Sequence, residues 1–244
     1  MIRCRKLTLL SAFVLIALVT KNLPGREPEV GGTTKRTAGA LIGIFYDFKQ
    51  DLHRQKIPHP RADCERVLTH FVESGFDEAV MNKYYRVPVP LYTTQIQLDT
   101  MDSDYAPKSF GVEKTVEPAH WFVHYKGQIA APSDGTYRFL GDSDDFLVVG
   151  INGKTVLVAQ MADTPVHTKW FPKEAATGRY QAAGDWINCR AGEPVDIDIV
   201  TGDNPGGQFR SILDVQKKGD RPVPFKISTG TNAPTGAGTW RGIP

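Results

Sequence analysis

The densest group of side chains able to do chemistry is Asp142-Ser143-Asp144-Asp145. Adjacent loop carboxylates are hard oxygen donors, suited to calcium when carbonyls and water complete the coordination shell. Aspartates also shape turns by accepting backbone N–H bonds, and both roles stand for Asp144 and Asp145 at this level. Asn204, inside Gly202–Gly207, is the candidate third oxygen ligand. Trp170, in the irregular run Trp170-Phe171-Pro172, is the candidate aromatic platform for a sugar ring, with packing beneath a loop as its competing role. His120 and His124 have the spacing that chelates a metal on a helix. Their segment reads as strand, where they stand about 13 Å apart, so no shared metal is expected. Asp196 and Asp198 read as the solvated face of another strand. No G-x-S-x-G elbow is present, and no proton donor in an apolar pocket can be picked out, so no catalytic residue is assigned.

The three cysteines, Cys4, Cys64 and Cys189, form no CxxC. They are too few for a cysteine zinc site or a disulfide framework, although a Cys64–Cys189 bridge is open in an oxidising compartment. Residues 1–20 carry Arg3, Arg5 and Lys6 and no acid, which leaves a near-neutral body and no basic block. That excludes a general nucleic-acid binder.

Elements must hold these residues in place. Leu7–Thr20 is uncharged and mostly apolar behind a basic flank, the pattern of a signal peptide or membrane anchor. As a helix it spans about 21 Å, short of the hydrocarbon core. The expectation is an exported chain: membrane-anchored and facing the periplasm or extracellular space, or secreted if the leader is cleaved. Residues 21–38 read as a linker, rich in Gly, Pro and Thr. Leu41–Phe48 is an expected strand. Asp63–Phe71 and Phe76–Tyr84 carry helical periodicity around Ser74-Gly75, giving a helical insert over 61–86. From about residue 91 short strands alternate with turn signals. Trp121, Val123 and Tyr125 share one face, with Phe122 and His124 on the other. Asn152-Gly153 marks a hairpin. The segment 219–244 reads as an extended tail. The fold class is mainly β, an antiparallel sandwich with a small helical insert and an N-terminal apolar helix.

Residues 121–158 read WFVHYKGQIAAPSDGTYRFLGDSDDFLVVGINGKTVLV. This resembles the PA fourteen domain, the β-sandwich module named after anthrax protective antigen. Gly127, Ile129, Ala131, Pro132, Gly135, Tyr137, Phe139, Asp144, Asp145, Asn152 and Gly153 carry the resemblance. Ala191-Gly192, Gly206-Gly207 and Gly43–Phe48 extend it, so that it covers about 41–48 and 119–216. The helical insert departs from the simplest members. In sugar-binding members an aspartate pair holds calcium that in turn binds sugar hydroxyls. The resemblance therefore implies a non-catalytic module over 39–218, with Asp144 and Asp145 as the calcium-holding pair. The expected partner is a glycan or cell-envelope polysaccharide. The other expectation is a structural or assembly module that docks a partner protein through the insert.

Overall fold

A computed structural model describes residues 31–161, 166–230, 236 and 238–244. The expected leader and most of the linker lie outside the described residues. Fifteen strands form two sheets. The first ten are β1 (Leu41–Asp51), β2 (Tyr84–Arg86), β3 (Leu91–Thr93), β4 (Gln97–Asp102), β5 (Trp121–Ala130), β6 (Gly135–Asp144), β7 (Phe146–Ile151), β8 (Lys154–Gln160), β9 (Ala182–Ala183) and β10 (Ile187–Cys189). They are followed by β11 (Pro194–Asp203), β12 (Gln208–Lys217), β13 (Val223–Pro224), β14 (Lys226–Ser228) and β15 (Thr239–Ile243). The larger sheet runs β14-β15-β5-β11-β7-β8, with β1 beside β5 and then β2 and β3. The smaller runs β10-β6-β12-β13, with β4 and β9 at its margins. Pairing is antiparallel except between β14 and β15.

The alternation read in β5 sets the layers. Trp121, Val123 and Tyr125 enter the core between the sheets. Phe122 joins Tyr46, Phe48, Val148 and Val200 on the outer face of the larger sheet. Helix α1 (Pro60–Glu73) covers that face with Cys64, Val67, Leu68, Phe71 and Val72, all buried. The helix begins at Pro60, where a missing N–H costs nothing. It ends at Gly75, whose φ of 78° closes the last turn. The β7–β8 hairpin turns through Asn152 and Gly153, with φ of 50° and 73°, as the dipeptide demands.

Two expectations are corrected, and one open question is closed. Phe76–Tyr84 is not a second helix. Asp77 caps a single 3₁₀ turn, Glu78–Met81, through Ala79 N at 2.9 Å, and Tyr84–Arg86 pairs with β1. Residues 219–244 are not merely a tail: β14 and β15 complete the larger sheet, and Trp240 is fully buried against Tyr137. Cys64 and Cys189 are both free. Cys64 lies on the buried side of α1, against the outer face of one sheet, and Cys189 belongs to β10 of the other. Among the described residues, no helix is long and apolar enough to cross a membrane.

Candidate functional site

The site lies at one end of the sandwich, where the β6–β7 connection meets the end of β11. Sheet register brings them together: Gly202 pairs with Phe146, so Asp203 emerges beside Asp145. Gly202 is required there, since a Cβ would lie 2.2 Å from the Trp121 carbonyl. Both the Asp144–Asp145 and the Asn204–Pro205 peptides are cis. The backbone N–H of Asn204 donates to Asp145 Oδ2, and Met161 N donates to the Asp145 carbonyl at 2.9 Å.

Asp145 is 3% exposed and Asp203 0%. Neither Asp203 carboxylate oxygen makes a hydrogen bond of normal geometry; the groups that face it include the Asp145 carboxyl and the Ala119 backbone. Burial above all, and then the facing acid, push the Asp145 carboxyl up to about 8. Burial likewise raises Asp203, to about 6. Two buried carboxylates this close cannot both carry charge uncompensated, so in the absence of a cation they hold a proton between them. Asp144, half-buried, adds a third carboxylate next to the pair.

The rim supplies positive and polar groups. Lys49 pairs with buried Asp47 at 2.8 Å and donates to the Ala119 carbonyl. His120 Nδ1 lies 2.6 Å from Asn204 Oδ1 and holds that side chain at the site. Burial lowers the His120 pKa. Ser103 Oγ accepts from Gly207 N at 2.9 Å, which pins the Asn204–Gly207 loop to the smaller sheet's flank.

Asp144, Asp145 and Asn204 are thus brought together. Asp203, inside the same Gly202–Gly207 run as Asn204, completes the group. Its signal is the acid that ends the alternating strand Val195–Val200, and it becomes visible only through the pairing of β11 with β7. Trp170 is not part of this group. It packs half-buried beside Val72 and along β8, lining a cleft of about 390 Å³ with Glu73, Lys154, Thr155 and Thr168. The side chain at the surface is its neighbour Phe171, 74% exposed. Asp198 is not a solvated strand residue either: it binds His124 on the face covered by the insert.

The donor set suits a hard cation in its chemistry, with two buried carboxylates and an amide oxygen adjacent. As they stand, no three His, Cys, Asp or Glu side chains among the described residues converge into a ready cage. Asn204 and backbone or solvent oxygens would have to complete coordination.

No family model matches the chain, and no curated protein does. Among solved structures, the chain is similar to a PA14 sugar-binding domain from an RTX adhesin: 16% identity, 77% of this chain and 95% of that one, TM-score 0.48. It is also similar to the PA14 domain of the MpAFP antifreeze protein, at 16% identity over 80% and 89%, TM-score 0.47. A third is the Epithelial Adhesin 6 A domain from Candida glabrata in complex with Galb1-3GlcNAc, at 12% identity over 81% and 89%, TM-score 0.48. The fold itself is a two-sheet, mainly antiparallel β-sandwich.

Proposed function

We propose that this chain is a carbohydrate-binding module whose ligand is held at the Asp144–Asp145–Asp203–Asn204 end of the sandwich through a calcium ion. The observation that carries the reading is the buried Asp145–Asp203 pair, with both Asp203 oxygens lacking a normal hydrogen bond. A divalent cation would neutralise both charges and supply the missing partner. Asp144, next to Asp145 in the chain, is half-buried where the pair is buried, and offers the side from which sugar hydroxyls can approach. The sugar-binding PA14 domain and the Galb1-3GlcNAc complex among the similar structures agree with this choice of ligand class. Export and tethering through Leu7–Thr20 belong to the same proposal, since cell-envelope and extracellular glycans lie outside the cytoplasm.

Two carboxylates with raised pKa are also what a glycosidase would need. There the pair stands about 5 Å or more apart to straddle the scissile bond. Here the Asp145 and Asp203 carboxyls act on one another directly, which points to a shorter separation than that. The insert-docking reading loses its main feature, because the apolar face of α1 is already buried against the sheet.

The test is a glycan-binding panel with the full chain in calcium and in chelator, alongside Asp144→Ala, Asp145→Ala protein. Binding that vanishes in chelator and in the variant supports the proposal. Binding indifferent to both rejects the calcium-held site, and no binding to any glycan rejects the ligand class.

A further inference from the structure

His124 is 1% exposed on the outer face of the larger sheet, away from the acidic site. Its ring is enclosed by the insert, with Phe71 of α1 5.0 Å away edge-on and Phe76 stacked at 6.2 Å. Phe76 can lie there because Gly150 leaves the sheet bare; a Cβ at that position would be 2.2 Å from its ring. The two ring nitrogens face opposite carboxylates. Nε2 donates to Asp198 Oδ1 of β11 at 2.8 Å, and Nδ1 lies 3.5 Å from Glu78 Oε1 in the 3₁₀ turn. The latter distance is a loose ion pair and not a formed hydrogen bond.

This geometry fixes the proton count. A neutral ring that donates from Nε2 would aim the Nδ1 lone pair at a carboxylate in a buried setting, with no donor between them. A proton on Nδ1 turns that repulsion into an attraction. Carboxylates on opposite nitrogens also prevent all three groups from sharing one metal ion.

We infer that His124 is a proton-operated latch: as an imidazolium it ties the insert's Glu78 turn to β11, and loss of its proton at higher pH releases the insert from the sheet. The charged and titratable neighbours are few. β11 contributes Asp198 and the turn contributes Glu78. β5 contributes Lys126, whose Nζ holds Glu78 at 2.6 Å. β1 contributes Tyr46, which feels Glu78 and Arg86. From α1 the contact is Phe71. Burial opposes the charge on His124, but Asp198 and Glu78 outweigh it and raise its pKa. Glu78 is correspondingly held down at about 2, chiefly by His124 and also by Lys126. Since the folded pKa lies above the ordinary 6.5, the latch is closed below that value. It opens as pH rises through the folded pKa, the reverse of a switch triggered by acid. The inference does not depend on the sugar-binding proposal.

The experiment combines ring ¹⁵N spectra of the full chain with amide hydrogen exchange. Protection factors are corrected for the intrinsic pH dependence of exchange. The expected result is a His124 ring protonated on both nitrogens at pH 6 that loses its proton only above the ordinary 6.5. Protection over residues 76–84 should fall about tenfold per pH unit once the ring titrates, while β11 amides away from the latch stay protected. Glu78→Gln should lose that protection already at pH 6, even if a His124→Gln chain fails to fold. A ring that titrates below the ordinary 6.5 overturns the inference. So does insert protection unchanged as the ring titrates, or a Glu78→Gln turn as protected as the parent's at pH 6.

Discussion

Replacing Asp203 by Asn should reduce a pH dependence of stability built into the acidic site. In chelator, the folded parent retains about one proton on the Asp145–Asp203 pair through a range where the unfolded chain has lost it. Both folded pKa values are raised, Asp145 to about 8 and Asp203 to about 6. The sign follows: the folded state binds more protons than the unfolded one between about pH 4 and 8. Stability is therefore largest near the acid end and falls as pH rises, with a slope of about 1.4 kcal/mol per unit for each retained proton. With Asn at 203, Asp145 faces an amide that can donate to it; the facing acid's opposition to its charge is gone while burial remains, so the slope shrinks without vanishing. Urea unfolding at pH 5, 6 and 7 in chelator measures this as the difference between parent and variant. The difference cancels the histidines, which titrate in the same window. Over two units the variant should gain on the parent by about 1–2 kcal/mol. Saturating calcium should flatten the parent's slope, because the cation replaces the proton. Equal slopes in parent and variant would refute the charge pairing inferred from the geometry.

Trp240→Ala should cost about 3–5 kcal/mol, read as a lower urea midpoint, because its ring is fully buried in the main core. A loss below 1 kcal/mol would mean that the C-terminal strand does not belong to the sandwich. Phe71→Ala should cost a similar amount by opening a cavity between α1 and the sheet, where Phe71 touches Phe76, Phe122 and His124. Gly202→Ala should prevent correct closure of the site, since its Cβ collides with Trp121 backbone, and is checked by loss of calcium-dependent stabilisation. Non-reducing mass analysis should show no Cys64–Cys189 bridge, as both thiols are free in separate layers.

Much of the sandwich was legible because burial imposes period two on its strands. In β5 the alternation of Trp121, Val123 and Tyr125 with Phe122 and His124 named both packed faces before any coordinates. Asn152-Gly153 named its hairpin by turn chemistry alone. What misled was apolar spacing without a continuous element beneath it. Phe76 and Tyr84 are both buried, but one sits in a left-handed turn and the other in a strand, so their spacing mimicked a helix. The C-terminal strands were hidden because Trp240 is an isolated apolar anchor among Gly, Pro and Thr, and the parallel β14–β15 pairing leaves no local signature. In the site, Asp144 and Asp145 are adjacent in sequence and easy to find. Asp203 is 58 residues away from Asp145 in the numbering, and only the β7–β11 register makes them neighbours. Likewise Asp198 alternates like a solvent-facing residue because the insert that covers it lies far upstream.

The most direct test of a cation-held site is calorimetric titration of the full chain with calcium at pH 7 in two buffers of different protonation enthalpy. The account predicts one calcium bound per chain with about one proton released, and neither in Asp145→Asn, Asp203→Asn protein. No binding at millimolar calcium, or binding that persists in that variant, would contradict it.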